Sequence, residues 1–327
     1  MDLSIRQTIF LEEGIPVWNS PMGAVLPEIL DRIEAANPKH AHKLRAQVGA
    51  MDGVFHARAE EFFRRYERFI ASQGKTLDFG VGCYLKLCAS MMKERILFLR
   101  AGRYSSSSFD EVSRRVYSHP ETMQHHMHGL VFAQFFWPEQ YRRFSFFCEN
   151  LPRYGESVRR YLEVGGGHAL YITEACRLLG GETEFDLVDI SPHSMALARG
   201  IAREPRIRCH LMNIFDFLPG AQYDWITMGE VIEHVEQPLE LLRKARSLLA
   251  PSGRAYITAP ANAPTLDHIY LFREEEEIRG MLRDAGFAVE REVLMYSEDL
   301  PVEQARARKV ALMYGAVVKN AEPPARA

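Results

Sequence analysis

Three consecutive glycines at positions 165–167 lie between a short apolar segment and a helical pattern. The apolar segment, residues 161–164, contains one acidic residue, Glu163. Glycine lacks a Cβ and tolerates positive φ, so a ligand can approach the backbone closely at such a turn. The N–H groups that open the following helix attract an electron-rich or negatively charged group. The run therefore predicts a strand, a turn and a helix that together hold a nucleotide-like ligand.

Composition indicates the class of protein in which this turn occurs. The chain has 327 residues, enough for about two domains, and its 47% apolar and 25% charged content is typical of a globular protein. A net charge of −3 disfavours a general nucleic-acid binder, and no apolar run approaches the roughly 18 residues that cross a bilayer. The five cysteines are scattered without CxxC spacing, and residues 1–10 lack the basic start of a signal peptide. We therefore expect a cytoplasmic protein with neither a nucleic-acid nor a membrane partner.

The first 150 residues have a helical pattern almost throughout. Apolar residues recur at helical spacing in residues 26–33 and 62–70, and another apolar helical pattern covers residues 84–99. The segment at residues 151–155 contains a proline and a glycine and interrupts this pattern. We predict a helical substrate or lid domain over residues 1–152, a ligand-binding domain over residues 153–320 and a disordered tail over residues 321–327.

Strand and helix patterns alternate in the second domain. Strands are predicted at residues 160–164, 183–188, 207–211, 223–228, 254–258, 287–294 and 310–318. Helices are predicted at residues 169–179, from residue 192 onward, at 238–249 and at 274–284. This alternation predicts an α/β fold with a mainly parallel sheet covered on both faces. In such sheets ligands bind beyond the carboxyl ends of the strands, where the strand order reverses.

The glycine run does not match the dinucleotide fingerprint GxGxxG, because Leu170 occupies the last glycine position. Counted from Glu163 it has the pattern E-x-G-x-G-x-A, which ends at Ala169. This pattern resembles the first motif of the class I S-adenosylmethionine (SAM)-dependent methyltransferases, in which a third glycine is common at the last position. A small residue there still allows the helix to pack closely on the strand.

Three further strand ends carry residues of the same family pattern. Asp189 ends the second strand, where a carboxylate can accept hydrogen bonds from both ribose hydroxyls. Asn213 and Ile214 follow the third strand, and the amide oxygen of Asn213 can accept from an adenine amine. The stretch at residues 230–235, which starts with Glu230, is similar to the motif that follows the fourth strand in small-molecule methyltransferases.

The resemblance covers residues 160–318 and implies a Rossmann-like sheet of seven strands, mostly parallel, preceded by an N-terminal all-helical lid domain. It also implies SAM as the cofactor. The cofactor contacts that it implies are Glu163, Gly165, Gly167, Asp189, Asn213, Ile214 and Glu230.

No catalytic residue is common to this whole family, so a base has to be sought at the open edge of the sheet. His234 follows the fourth strand and is a candidate because histidine is a common general base, although the Glu-His pair at this point also fits a structural role. His268 and Tyr270 lie in a loop rich in proline and small residues after the fifth strand, and function concentrates in such loops. We expect these side chains to contact substrate. The alternative is that Asp267 caps the helix at residues 274–284.

Residues 123–147 are the densest aromatic region of the chain. Helical spacing favours a packed core for most of these rings, and the alternative is a lid whose aromatic faces surround the SAM sulfonium. From this region we predict substrate or lid contacts at His126, Gln134, Trp137 and Tyr141. The trio His125, His126 and His128 lacks a complete ligand set, so no metal site is predicted.

Three functions fit these observations. The first is a SAM-dependent methyltransferase that acts on a small amino-acid-like or secondary-metabolite acceptor. The second is a SAM-cyclising enzyme, because the aromatic helices and the loop at residues 267–272 are also similar to azetidine-2-carboxylate synthases. In such an enzyme the amine of SAM would attack its own γ-carbon and expel methylthioadenosine. The third is a non-catalytic SAM-binding protein, and the sequence leaves open whether the helical domain also forms a homodimer.

Overall fold

The computed structural model describes residues 24–322 and the backbone of two short strands, β1 (Ile9–Phe10) and β2 (Pro16–Val17), which pair antiparallel. The chain divides into two compact units, Met1–Asp78 and Phe79–Ala327. The sequence predicted a domain boundary at residues 152–153, and that position lies inside the second unit. The described residues do not include residues 323–327, which form most of the predicted disordered tail. They also do not include residues 1–8, which belong to the N-terminal segment without the basic start of a signal peptide.

The first unit contains three helices whose starts are held by side chains. These helices are α1 (Val25–Ala36), α2 (Pro38–Gly49) and α3 (Gly53–Ala71). Asn37 caps α2 just before the proline at its first position, and Asp52 caps α3 by accepting from the N–H of Phe55. Glu60 accepts from the first two N–H groups of α1, at Val25 and Leu26, both 2.9 Å away. Because unsatisfied N–H groups open every helix, these carboxylate and amide oxygens set where the helices begin.

The second unit combines helices with one large sheet. Its helices are α4 (Leu77–Ala101, which belongs to this unit from Phe79 onward), α5 (Phe109–Val112), α6 (Pro120–Phe136), α7 (Pro138–Asn150), α8 (Leu170–Leu178), α9 (Pro192–Ala202), α10 (Pro238–Leu248), α11 (Glu275–Asp284) and α12 (Val302–Ala307). Its strands are β3 (Arg160–Val164), β4 (Glu184–Asp189), β5 (Ile207–Leu211), β6 (Tyr223–Gly229), β7 (Leu249–Ala261), β8 (Phe287–Tyr296) and β9 (Leu312–Asn320). Single-turn 3₁₀ segments follow β5 at Ile214–Asp216 and β6 at Ile232–His234, and a π-helical turn covers Ser113–Tyr117.

The seven strands lie in the order β5-β4-β3-β6-β7-β9-β8. The first five are mutually parallel, whereas β9 runs antiparallel to both β7 and β8. After β3 the chain adds β4 and then β5 on one side of β3. It then crosses to the other side of β3 and adds β6 and β7 there, so the strand order reverses at β3. The predicted Rossmann-like sheet with seven mostly parallel strands is therefore confirmed, and the reversal places a ligand site at the carboxyl ends of β3 and β6.

Aromatic side chains attach α7 to the sheet. Phe147 contacts Tyr171, Trp225 and Tyr256, with ring centroids 5.0 to 6.4 Å apart. Phe144 also packs edge-on against Tyr171 at 5.7 Å. Helix α7 thus packs on the sheet of the second unit. None of the described helices is both long and apolar enough to cross a bilayer.

Candidate active site

The glycine run forms a tight turn between β3 and α8. Gly165 and Gly167 have φ of 70° and 43°, a region that glycine occupies without strain. A Cβ on Gly165 would lie 2.7 Å from a methyl carbon of Val231, and one on Gly166 would lie 2.5 Å from a methyl carbon of Leu187. Both distances are shorter than real Cβ contacts, so the turn requires glycine for close packing as well as for its backbone conformation.

Two buried carboxyl groups lie at this turn. Glu163 on β3 is 3% exposed, and its Oε2 atom has no hydrogen-bond partner among residues 24–322. Burial raises the pKa of Glu163 well above its ordinary value, and the nearby charge of Asp189 acts in the same direction. Asp189 ends β4 and accepts hydrogen bonds from the N–H of Ser191 at 2.7 Å and from that of Gly167 at 3.4 Å. The Oε2 atom of Glu163 can accept a hydrogen bond from a ligand that is rich in donors, as SAM is. The residues of this turn therefore fit SAM, the cofactor that the family resemblance implies.

The next strand end presents an apolar surface. Ile190, Leu211 and Phe215 are large apolar side chains about half exposed, at 47 to 50%. They flank Asn213 and could cover the face of a flat purine. The Asn213 amide oxygen already accepts from the N–H of Phe215 at 3.0 Å, while Ile214 is buried. Asn213 therefore caps the short turn after β5, and its predicted contact with an adenine amine would use the second lone pair of the same oxygen.

Glu230 directly follows β6, and its predicted contact with the cofactor stays a prediction. It has a positive φ of 55°, and its Oε1 atom accepts from Arg143 and from the hydroxyl of Thr258, the latter at 2.9 Å. Arg143 on α7 is fully buried and also donates to Gln140 at 2.5 Å. Burial lowers the pKa of the Arg143 guanidinium, but the adjacent Glu230 outweighs this and leaves it raised. This pair, in which the arginine is buried and the glutamate is partly exposed, links α7 to the turn after β6.

A second pair, between His126 and Asp267, lies at the same edge. His126 on α6 is buried, and its Nε2 atom lies 3.4 Å from Oδ2 of Asp267. Its Nδ1 atom has no hydrogen-bond partner within the described part of the chain. Burial alone would lower the pKa of His126, but the charge of Asp267 and its hydrogen bond outweigh burial and raise the pKa. The neighbouring Met127 approaches the glycine turn, because a Cβ on Gly167 would lie 3.2 Å from its terminal methyl carbon.

Glu233, His234 and His268 form a compact group beside this pair. Nε2 of His234 and Nε2 of His268 each lie 3.8 Å from Oε1 of Glu233. The two imidazole rings meet edge to face, with centroids 4.8 Å apart. Burial, with the charge of His234, lowers the pKa of His268 to about 3, so its imidazole is neutral. The structure thus brings together His126, His234 and His268, three residues that were predicted separately.

Hydrogen bonds hold the loop after β7 against the turn after β6. The N–H groups of Ile269 and Tyr270 both donate to the main-chain oxygen of Glu233, each at 2.9 Å. Thr265 donates to Oδ1 of Asp267 at 2.7 Å and accepts from the N–H of His268 at 3.1 Å. The interpretation of Asp267 as a helix cap is therefore wrong, since Glu274 occupies the N-cap position of α11 and Asp267 contacts His126 and Thr265 instead.

The remaining predicted lid residues lie on α6 and α7. Gln134 is buried, Tyr141 packs against the rings of Phe135 and Phe144, and Trp137 joins the two helices. The three histidines of the predicted trio point apart: His125 contacts Lys86, His126 contacts Asp267 and His128 packs edge-on against Phe79. The trio therefore does not gather at one point.

Sequence reasoning missed several residues of the site. Arg143 was hidden in an aromatic helix, and Glu233 was treated only as the neighbour of His234. Tyr117 ends the π-helical turn, and burial together with the charges of Asp267, Asp189 and Glu233 raises its pKa well above the ordinary value. No local signal distinguished these residues from their charged and polar neighbours, because their partners are distant in sequence.

Over part of its length the chain is similar to known methyltransferases. Residues 139–292 match the model of a methyltransferase-domain family. A ubiquinone biosynthesis O-methyltransferase of Xanthomonas campestris pv. campestris (strain B100) is 30% identical over 110 residues, which are 32% of this chain and 44% of the relative. A protein of the same name from Xanthomonas euvesicatoria pv. vesicatoria (strain 85-10) is 25% identical over 155 residues, or 40% of this chain and 63% of the relative. The chain thus spans less than two thirds of the length of these relatives.

Two solved methyltransferase structures align with part of this chain. Mitomycin 7-O-methyltransferase aligns with a TM-score of 0.48 and 12% identity over 75% of this chain and 70% of its own. The N-methyltransferase NodS from Bradyrhizobium japonicum WM9, in complex with S-adenosyl-L-homocysteine, aligns with a TM-score of 0.46 and 15% identity over 66% of this chain and all of its own (100%). Both TM-scores lie below 0.5, so neither structure shows the function of this chain.

Proposed function

We propose, from the premise that residues 139–292 form a class I methyltransferase domain, that this chain transfers the methyl group of SAM to a small-molecule acceptor. The observation that carries the proposal is the position of His126. Its neighbour Met127 approaches the glycine turn, while its own ring pairs with Asp267 of the loop after β7. A proton acceptor therefore stands between the cofactor turn and the loop at which the acceptor is expected.

The residues of the chain supply position and electrostatics for this reaction. Bound SAM supplies an electrophilic methyl group on a sulfonium, and the acceptor atom has to lie about 3–3.5 Å from it, in line with the sulfur. Asp189 would orient the ribose by accepting its hydroxyl hydrogens, and the Gly165–Gly167 turn would let the ligand approach the backbone. Both groups lie at the carboxyl ends of β3 and β4.

His126 is the group suited to take the acceptor proton. Asp267 holds the proton of the neutral imidazole on Nε2, which leaves the lone pair of Nδ1 available and without a partner among residues 24–322. When Nδ1 takes a proton, the carboxylate of Asp267 stabilises the imidazolium that forms. His234, His268 and Tyr270 remain in the proposal as acceptor contacts, and Gln134, Trp137 and Tyr141 as lid residues.

The acceptor class follows from the same pair. An amine bound as its cation or a hydroxyl has to lose a proton for net methyl transfer, and a histidine base suits a hydroxyl of lowered pKa, such as a phenol. The curated relatives are named as O-methyltransferases, which favours a hydroxyl acceptor. We therefore include in the proposal O-methylation of a small hydroxylated, aromatic molecule. The cytoplasmic location, the absence of nucleic-acid and membrane partners and a homodimer stay predictions from the sequence.

The test is a product analysis. Purified protein is incubated with SAM alone and with SAM plus a panel of phenols, catechols and aliphatic alcohols, and nucleoside products are separated by mass. The proposal expects S-adenosylhomocysteine only when an acceptor is present, together with a product heavier by one methylene unit. His126→Gln should abolish this product while SAM still binds.

Two other results would contradict the proposal. Methylthioadenosine formed from SAM alone, with a cyclic amino acid, would replace methyl transfer with SAM cyclisation. Saturable SAM binding without any product across the panel would favour a binding protein without turnover.

A further inference from the structure

The group formed by Glu233, His234 and His268 has an unusual carboxylate at its centre. Glu233 is fully buried, and neither of its carboxylate oxygens has a hydrogen-bond partner in the described part of the chain. The two imidazole nitrogens that face it at 3.8 Å are too distant for hydrogen bonds. A buried carboxylate without any partner is costly, so this side chain is arranged for something that the protein residues do not supply.

The three side chains offer a metal-ligand set. One ligand atom from each residue lies within 4.8 Å of the other two. Two imidazole nitrogens and one carboxylate oxygen are a known set for zinc sites that keep an open position. Zinc–nitrogen bonds of about 2.0–2.1 Å put neighbouring ligands about 3.3 Å apart, so each 3.8 Å edge has to shorten by about half an ångström. The third edge, between the two imidazole nitrogens, is no longer than 4.8 Å and therefore has to shorten by at most about 1.5 Å.

The tautomer of His234 and the main-chain position of both histidines suit this role. Nδ1 of His234 donates to the main-chain oxygen of Asp267 at 3.1 Å, which leaves the Nε2 lone pair directed at Glu233. Such a second hydrogen bond is the usual support of a metal-bound histidine. His268 is held in place because Thr265 accepts from its N–H and the next two N–H groups donate to the Glu233 main chain. The backbone therefore sets the geometry of the group before any ion arrives.

We infer that Glu233, His234 and His268 bind one divalent first-row transition ion, with zinc as the representative, and leave one coordination position open to water or to an oxygen of a bound molecule. Imidazole ligands favour such ions over magnesium or calcium, which prefer sets of oxygen ligands. The binding of the ion does not rest on the proposed methyl transfer. Only the use of the open position by an acceptor hydroxyl would depend on it.

The experiment measures metal binding without SAM. Tag-free protein is stripped with a chelator and titrated with Zn²⁺ and with Mg²⁺ by calorimetry, and Co²⁺ is added separately to record its visible spectrum. We expect one Zn²⁺ per chain, a Co²⁺ band typical of low coordination number and nitrogen ligation, and much weaker Mg²⁺ binding. Glu233→Gln and His268→Asn should each weaken Zn²⁺ binding by about 100-fold or more, since even the loss of a supporting hydrogen bond costs 10- to 100-fold.

The matched control is His193→Ala, because His193 is an exposed histidine on α9. This variant should bind Zn²⁺ as the wild type does. The inference is overturned if the wild-type chain binds no Zn²⁺, if Zn²⁺ binding survives in Glu233→Gln, or if His193→Ala loses as much affinity as His268→Asn. Circular dichroism shows whether each variant is folded. If a variant is unfolded, the Co²⁺ spectrum of the wild-type chain tests the inference, because the band typical of low coordination number and nitrogen ligation has to be present. A failed product assay would leave these binding results unchanged, so the two proposals fail separately.

Discussion

The carboxylate of Asp189 has a defined task at the cofactor turn. It is 8% exposed and accepts from two main-chain N–H groups, so it is already oriented before ligand arrives. Replacement by alanine removes a charged acceptor from the ribose hydroxyls. We expect Asp189→Ala to weaken SAM binding by roughly 1.5–3 kcal/mol, measured by calorimetry. Asp284→Ala, at the exposed end of α11, is the control and should bind SAM normally. Unchanged affinity in Asp189→Ala would place the ribose elsewhere.

The pair of His126 and Asp267 predicts the direction of a pH effect. The neutral form of His126 is the base, so kcat/KM should fall as the pH drops below its folded pKa, which Asp267 raises above the ordinary value near 6.5. Asp267→Asn removes the charge that raises this pKa. The acid limb of the pH profile should therefore move to lower pH, while kcat falls by roughly 100-fold because the imidazolium loses its partner. Asp284→Asn should leave the profile unchanged, and an unmoved acid limb in Asp267→Asn would remove His126 from the base role.

At the scale of elements, the strands and their ends could be predicted from the sequence. Each strand is a short apolar run next to a turn, and the motifs at Glu163, Asp189 and Glu230 are local, so no distant contact was needed to find them. The meeting of α6 with the loop after β7 could not be predicted in this way. His126 and Asp267 are brought together only by tertiary packing, and a local pattern assigned Asp267 to a helix cap that Glu274 occupies. Arg143 was missed for the same reason, because its partner Glu230 lies on another element.

The loop after β7 yields a prediction of its own. The Thr265 hydroxyl connects Asp267 to the main chain of His268 and so holds both side chains in place. Thr265→Val has nearly the same shape without the hydroxyl, and a small displacement of a reacting group can cost up to about 100-fold in rate. We expect kcat to fall at least about tenfold, with SAM affinity unchanged because the cofactor turn lies on other elements. Thr265→Ser retains the hydroxyl and should retain activity, and an equal loss of SAM affinity in Thr265→Val would contradict this division of roles.

The whole molecule consists of two compact units, and the sequence placed its boundary elsewhere. A break in helical pattern at residues 151–155 suggested a border, yet α7 packs its aromatic rings on Tyr171 and Tyr256 of the second unit. Helical periodicity reports which face of a helix is apolar and not which partner covers that face. The predicted lid residues, His126, Gln134, Trp137 and Tyr141, therefore all belong to the unit that carries the cofactor turn.

This division predicts how SAM changes thermal unfolding. A ligand that binds only the folded state stabilises the unit that contains its site, by about 2.7 kcal/mol at 100 times its Kd. For a unit of this size that free energy raises the midpoint by roughly 5–10 °C. Because the cofactor turn and every predicted lid residue lie in Phe79–Ala327, calorimetry should show that SAM shifts the transition of this unit and leaves that of Met1–Asp78 in place. In Asp189→Ala, whose SAM binding is expected to be weaker by roughly 1.5–3 kcal/mol, the shift at the same SAM concentration should fall to between about a half and about a tenth of the wild-type shift. If both transitions move together by the same amount, the helices before α4 take part in holding SAM, and the lid includes them.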